Sequence, residues 1–334
     1  MAVMKNKVLV TGASGFLGGT LALRLAAQGV AVRVLVRSAA RAAFLLEAAD
    51  STIEIVQGDL LDLTSLVAAA KACAVVYHCA AATQGTLKHQ QQANTLGTRN
   101  LMQAAADAGV QRVVHVSTVS VYGMLYEGTI TEDMVHAPGS DPYGLTKSAA
   151  EAVVREIGAA RKLDYAIIRP GMIFGPRSHM WTEVAFRLSR LKPTPWFGSG
   201  SGFVPCIYVD DVVDMIQVLA KHPRAVGEAF NCNYTPAVTW RAFLGEYARL
   251  ARGVNDDFLE LPPWLLYALA GIGMLFSPPY SAGQMLPDYA RFTQRRVQYS
   301  MVKARALLDW QPQIGLAEGV AGCADWLRAQ GLLA

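Results

Sequence analysis

Tyr143 and Lys147 stand four positions apart in the run Pro142-Tyr143-Gly144-Leu145-Thr146-Lys147. On a helix, positions i and i+4 share one face. A phenol titrates near 10 on its own, too high for acid–base work at neutral pH. An ammonium group beside it favours the phenolate and lowers that value. The same ammonium can hydrogen-bond a ribose hydroxyl, so the pair is a small device for moving a proton beside a bound nucleotide. An ordinary exposed helix face carries the same spacing, and the pattern needs company. Thr118, in Ser117-Thr118-Val119-Ser120-Val121-Tyr122-Gly123, supplies some. A hydroxyl at the end of an apolar run can donate to a substrate oxygen, although alone it reads as a β-branched strand residue.

The second group of chemically suggestive residues is Thr11-Gly12-Ala13-Ser14-Gly15-Phe16-Leu17-Gly18. Its glycines follow a strand-like run and open a helix. The first permits a tight turn, the second lets a pyrophosphate approach the backbone, and the third lets the helix pack close to the sheet. Phosphates then sit at a helix N-terminus, where free N–H groups and the dipole favour anions. The strand–loop–helix setting points to dinucleotide binding by Gly12, Ser14, Gly15, Phe16, Leu17 and Gly18. Gly58-Asp59-Leu60 follows the third apolar run; Asp59 can accept from an adenine amino group with Leu60 against the ring, or it can cap the next helix. The second run, Val32-Arg33-Val34-Leu35-Val36, ends without the Asp or Glu that selects NAD(H). Val36 stands where that acid would be expected, and Arg37 follows. A guanidinium there can pair with a 2′-phosphate, and Ser38 can add a hydroxyl. NADP(H) is therefore favoured, with NAD(H) the alternative. Arg33 reads as structural or peripheral.

These residues need a scaffold that gathers them. Strand-like runs fall at Lys7–Thr11, Val32–Val36, Ile53–Gln57, Val75–His78, Arg112–Ser117 and Tyr165–Arg169. Helical stretches rich in Ala and Leu lie between them, notably Leu21–Gln28, Thr64–Lys71 and Asn94–Ala108. Continuous apolar strands alternating with helices predict an α/β fold with a doubly wound parallel Rossmann sheet, covered on both faces. Such a sheet binds its ligand at the carboxyl ends of its strands, where every motif above falls. The rhythm changes after Gly175, as Pro193, Pro195, Gly198, Gly200 and Gly202 interrupt any long helix. Val204–Val209 reads as a strand, Asp210–Ala220 as a helix, and Val302–Leu308 and Leu316–Ala329 as closing helices. The expected division is a dinucleotide domain over 1–174, with return segments near 204–232. A smaller, interleaved α/β domain over 175–334 would be mainly substrate-binding.

The bulk composition narrows the function classes. Of 334 residues, 52% are hydrophobic and 17% charged, which excludes a disordered chain. With 30 basic and 26 acidic residues the net charge is only +4, and no basic run stands out, so no nucleic-acid partner is expected. Cys73, Cys79, Cys206, Cys232 and Cys323 are scattered without metal or disulfide spacing and read as free thiols. The histidines are dispersed and no metal is proposed; Asp210-Asp211 read as the start of a helix. No segment has the apolar length of a membrane span. Met1–Lys7 is too short and charged for a signal peptide, so the expected compartment is cytoplasmic. Leu261–Pro287 carries no charge. It reads as a buried helix, as an apolar lid over a lipid-like substrate, or, at 263–278, as a contact with a membrane surface.

In combination and order the motifs resemble the extended short-chain dehydrogenase/reductase family. They are TGASGFLG at Thr11–Gly18, GDL at Gly58–Leu60, HCAA at His78–Ala81, VSTVSVYG at Val116–Gly123, YGLTK at Tyr143–Lys147 and RPGMIFGP at Arg169–Pro176. KARALLDWQP at Lys303–Pro312 resembles the family's closing segment. The resemblance implies an NAD(P)-dependent enzyme with Tyr143, Lys147 and Thr118 as catalytic groups and Asn94 on a supporting helix. It implies that Ala80 and Ala81 line the cofactor. Pro170, Gly171, Met172 and Ile173 would hold the nicotinamide carboxamide with their backbone. It also implies a homodimer packed through the helices after strands four and five. Sugar-nucleotide members carry an asparagine where this chain has Met172, and RPGMIFGP is similar to the 3β-hydroxysteroid dehydrogenase and dihydroflavonol reductase branch. The expected activity is thus hydride transfer on a ketone or secondary alcohol of a small hydrophobic, steroid-, flavonoid- or lipid-like substrate. A sugar-nucleotide epimerase or dehydratase is the alternative, and a non-catalytic dinucleotide-binding regulator the third reading.

Overall fold

Runs of five or six residues with apolar side chains on both sides form β1 (Lys7–Thr11), β2 (Val32–Val36), β3 (Ile53–Gln57), β4 (Cys73–His78) and β5 (Arg112–Val116). A sheet buried on both faces requires this pattern. The computed structural model describes residues 7–48, 53–254, 256–265, 268 and 291–334. After β5 the chain leaves the sheet for β6 (Glu127–Ile130), returns as β7 (Asp164–Pro170) and leaves again through four short strands. These are β8 (Met172–Phe174), β9 (Thr194–Phe197), β10 (Phe203–Val204) and β11 (Cys206–Tyr208). It returns a last time as β12 (Ala229–Cys232). The seven-stranded sheet runs β3-β2-β1-β4-β5-β7-β12, with every pair parallel. The order reverses between β1 and β4, which places the ligand crevice at their carboxyl ends.

The helices are α1 (Phe16–Ala27), α2 (Ala43–Ala48), α3 (Leu63–Ala70) and α4 (Leu87–Gln90), which runs through a wide π turn at Gln91–Leu96 into α5 (Gly97–Asp107). They are followed by α6 (Pro142–Arg161), α7 (Val184–Ser189), α8 (Val209–Lys221) and α9 (Trp240–Arg252). Alternation along the strands divides the core. Leu9, Val76, Val113 and Ile167 face Leu66 of α3, Leu101 of α5 and Val153 of α6. Val10, Val34, Val114 and Ile168 face Leu21 of α1 and Val212 and Ile216 of α8. Burying each such side chain contributes roughly 1.5–3 kcal/mol. Arg33 has a structural role: its Nη1 donates to the carbonyls of Ala69 and Lys71, both at 2.8 Å, closing the end of α3.

Three local expectations change. The run 204–209 is broken at Pro205, which has no N–H for a ladder, giving β10 and β11. The closing stretch 316–329 is two helices, Leu316–Ala321 and Ala324–Ala329. The edge strand β12 went unread because Ala-Phe-Asn-Cys lacks β-branched residues; the sheet, rather than propensity, makes it a strand. Within the uncharged stretch, Trp264 is 67% exposed. Residues 266, 267 and 269–290, which hold most of the expected lid, lie outside the described residues.

Candidate active site

The loop after β1 is shaped by contacts that only glycine allows. Gly12 has φ +73°, and a Cβ there would lie 2.6 Å from the Ala80 amide nitrogen. Thus Gly12 lets the chain after β4, Cys79 and Ala80, close over the loop. A Cβ on Gly18 would meet the Gly12 carbonyl at 2.5 Å, so this glycine seats α1 on the loop. Gly15 caps α1 without a side-chain hydrogen bond, and the first turn holds no acidic residue. Ser14 and Gly15 are exposed, while Phe16 and Leu17 are half-buried. A twelve-residue helix with open N–H groups and a glycine cradle fits the pyrophosphate of a dinucleotide.

A directional hydrogen-bond chain fixes the strand ends. The Ala80 N–H donates to Thr11 Oγ1 at 3.3 Å, and that hydroxyl lies 2.8 Å from His78 Nδ1. His78 Nε2 lies 3.0 Å from Thr98 Oγ1, whose proton goes to the Asn94 carbonyl. His78 is therefore protonated on Nε2 and accepts at Nδ1. Burial holds its imidazole neutral, pushed down to about 3, with the Lys147 charge as a lesser cause. Asn94 sits in the π turn and clamps Ala82 twice: Nδ2 donates to the Ala82 carbonyl (2.9 Å) and Oδ1 accepts its amide (2.7 Å). Nδ2 also donates to Thr146 Oγ1 at 3.0 Å, tying this turn to α6. Asn94 thus acts on the backbone beside the site.

Helix α6 begins at Pro142 because Asp141 accepts from the amides of Tyr143 (3.1 Å) and Gly144 (2.9 Å). A Cβ on Gly144 would meet the Ser120 carbonyl at 2.7 Å. This glycine therefore presses the Tyr143 turn against the short helical turn Val119–Tyr122 that Thr118 caps. The Thr118 hydroxyl accepts from the Ser120 amide (3.2 Å) and donates to Ser120 Oγ (3.3 Å). Tyr143 is half-buried, and its hydroxyl has no hydrogen-bond partner among the described residues. One turn deeper, Lys147 is 1% exposed, and its Nζ lies 3.2 Å from His115 Nε2 on β5. Burial pushes the ammonium down to about 8, opposed mainly by Glu151.

The expected lowering of Tyr143 by Lys147 is not what this arrangement produces. Burial and then Asp141 push the phenol up to about 12. The physical reason is direction: the lysine points inward, onto an acceptor in the sheet, rather than along the helix face toward the phenol.

Around the adenosine end, Arg37 is exposed, and its guanidinium has no partner among the described residues; its carbonyl accepts from Gln57 Nε2 at 3.2 Å. Asp59 does not cap α3. Asp62 does, accepting from Thr64 and Ser65, while Asp59 Oδ1 takes the Leu61 amide at 2.9 Å. Leu60 packs on Gly97 at the start of α5. Beyond β7, the amides of Gly171 and Met172 donate to the carbonyls of Cys232 (3.4 Å) and Pro205 (2.6 Å). Met172 is buried and Ile173 half-buried; Pro170 pairs with Cys232 of β12 in the main sheet, and Ile173 with Ile207 of β11 in a separate two-stranded sheet.

Three features were not read from the sequence. Arg169 is fully buried and forks onto Glu151, with Nε to Oε1 at 2.8 Å and Nη2 to Oε2 at 2.7 Å. Thr146 braces the first turn of α6, donating to the backbone carbonyls of Pro142 and Tyr143. His78 and His115 are register partners at the ends of β4 and β5, with ring centroids 5.2 Å apart. Two histidines closing apolar strands were the available signal. Among the described residues no three His, Cys, Asp or Glu side chains are grouped to hold a metal, and no helix is long and apolar enough to cross a membrane. Asp210 and Asp211 lie in the first turn of α8; Asp211 accepts the Gln313 amide at 2.8 Å. All five cysteines are free.

Residues 8–232 match the family described as NAD dependent epimerase/dehydratase. The chain is 34% identical over 341 residues to the UDP-glucose 4-epimerase of Mycolicibacterium smegmatis, covering 96% of this chain and 98% of that one. It is 38% identical over 276 residues to sterol demethylase protein B of Methylococcus capsulatus, covering 78% and 79%. Among solved structures, MoeE5 in complex with UDP-glucose and NAD superposes with a TM-score of 0.74 at 27% identity, over 97% of this chain and 99% of that one. The match extends from the first strand of the sheet to its edge strand, through the glycine cradle and the Tyr143 helix alike. This chain belongs to the NAD-dependent epimerase/dehydratase family, the extended short-chain dehydrogenases/reductases, enzymes built around a nicotinamide dinucleotide.

Proposed function

We propose that the protein is an NAD(P)-dependent dehydrogenase/reductase acting on a secondary alcohol or ketone of an apolar, sterol-like substrate. The observation that carries this reading is the seating of the Tyr143 turn on the Thr118 turn through Gly144, with Lys147 one turn deeper. A bound nicotinamide supplies or accepts the hydride. Tyr143 gives its proton to the substrate oxygen in the reducing direction and removes it in the oxidising one. Thr118 turns its hydroxyl from Ser120 to that oxygen, and Lys147 holds the ribose. Residues after Gly175 outside the main sheet form the substrate side, and the chain works as a homodimer. The apolar substrate is favoured by buried Met172 at the position of the sugar-nucleotide asparagine and by the likeness to a sterol demethylase protein. The 34% identity to a UDP-glucose 4-epimerase favours a second reading, epimerisation of a sugar nucleotide. A panel of 3-hydroxysterols, 3-ketosterols and UDP-glucose, followed by nicotinamide absorbance and product chromatography, separates the two. Oxidation or reduction of the sterols without UDP-glucose conversion is expected; conversion of UDP-glucose with inert sterols overturns the dehydrogenase reading.

We also propose that NADP(H) is the preferred cofactor. Arg37, exposed and without a partner among the described residues at the end of β2, is placed to pair with a 2′-phosphate, and no carboxylate at that strand end repels one. NADPH is expected to bind more tightly than NADH in a fluorescence titration. Arg37→Ala should lose about 1.5–3 kcal/mol of NADPH affinity with little effect on NADH. Equal wild-type affinity for both cofactors overturns the assignment.

A further inference from the structure

Lys147 and His115 meet in the interior of the protein, on opposite sides of the packing between α6 and the main sheet. Lys147 Nζ and His115 Nε2 are 3.2 Å apart, and the two residues are 1% and 0% exposed. An ammonium has only donors, so the contact requires a lone pair on Nε2 and puts the imidazole proton on Nδ1. Nδ1 is buried and has no hydrogen-bond partner among the described residues. His115 therefore forgoes a hydrogen bond on one nitrogen while keeping the other available to the lysine. Its neighbour in register, His78, has the opposite tautomer and both ring nitrogens engaged. The difference between the two histidines shows that burial at these strand ends does not by itself leave a nitrogen unpartnered.

We propose that His115 is a positioning residue for Lys147: a neutral acceptor that takes one ammonium hydrogen and thereby aims the other two out of the sheet, toward the dinucleotide ribose. This rests on the assignment of Tyr143 and Lys147 given above. The groups around the contact are consistent with it. From α6, Glu151 favours the charged lysine. From the segment after β4, Cys79 faces it, with its thiol pushed up to about 12 by burial and so uncharged. His115 itself is held neutral by burial, then by the positive charges of Lys147 and Arg155. Among these, Glu151 is the anion, and it is occupied by Arg169 and Arg155. The acceptor touching Lys147 Nζ is His115.

An acceptor bonded to the ammonium stabilises the charged form, so its removal lowers the lysine's titration point. In His115→Leu the titration of Lys147, followed by the ¹³Cε shift in the full chain, is expected to move down by about one pH unit. The alkaline limb of kcat/KM should move with it, and His115→Gln, whose Oε1 reaches the position of Nε2, should restore both. In the wild type, long-range ¹⁵N–¹H spectra should show His115 Nε2 unprotonated and Nδ1 protonated throughout the neutral range, with and without NADPH. Two results overturn the proposal: protonated Nε2 in the wild type, or an unmoved Lys147 titration in His115→Leu with only a loss of thermal stability. If His115→Leu fails to fold, the tautomer in the wild type still decides. Because the tautomer and the lysine shift need no turnover, they stand or fall separately from the Tyr143 assignment.

Discussion

Tyr143→Phe is expected to lower turnover by about 10²-fold or more while leaving dinucleotide affinity nearly unchanged. The phenol hydroxyl has no partner within the described protein, so its loss breaks no structural hydrogen bond, and the ring that packs beside the site is retained. What would be lost is the proton donor proposed for the substrate oxygen. The pH dependence follows from the same environment. Burial and Asp141 push the phenol up to about 12, keeping it protonated across the neutral range. The reducing direction should therefore be nearly flat in pH until Lys147, at about 8, begins to lose its charge. The oxidising direction needs the phenolate and should accelerate as pH rises. Stopped-flow measurement of both directions, with affinities from fluorescence titration, checks each statement. Near-normal turnover of Tyr143→Phe on an authentic substrate would remove Tyr143 from the mechanism.

Arg169→Met is expected to destabilise the fold by about 3–5 kcal/mol, because it leaves a buried carboxylate without its main partner. Glu151 is fully buried; beyond the Arg169 fork it keeps Arg155 at 2.9 Å. The guanidinium also reaches outward, donating to the Tyr122 hydroxyl at 2.6 Å and the Glu132 carbonyl at 3.1 Å. Tyr122 in turn donates to Asn231 on the edge strand at 2.8 Å. One side chain thus joins α6, the turn that carries Thr118, and β12, so activity should fall with stability. Burial alone would raise the Glu151 carboxyl; Arg169 overrides it and holds the group at about 2, against an ordinary 4.5. A folded-state value below the unfolded one stabilises above the unfolded value and is lost as pH falls through the folded one. The wild type should therefore lose this contribution between pH 4.5 and about 2, and Arg169→Met should show a shallower loss in that window. Urea melts at several pH values test both; an Arg169→Met protein as stable as the wild type would show that the pair is not needed.

The elements that carry the chemistry were legible because they are local. Strands such as Val32–Val36 announce themselves by composition. The glycine loop does so by spacing between a strand and a helix, and Tyr143 and Lys147 by the helical repeat. Those patterns fixed the sheet, the cradle and the identity of the site residues proposed here. They did not fix where a long side chain goes once its backbone is placed. Lys147 was expected beside the phenol and instead crosses to His115, thirty-two positions away in the chain. Arg169 ended a strand in the sequence and turns out to hold α6 through Glu151. The cap of α3 is Asp62, not Asp59, and β12 is a strand only because β7 offers it an edge. Local sequence sets backbone propensity and which residues face inward. The partner of a buried charge or acceptor is chosen by the cost of leaving it unpaired in the assembled interior, and that choice exists only after distant segments have packed.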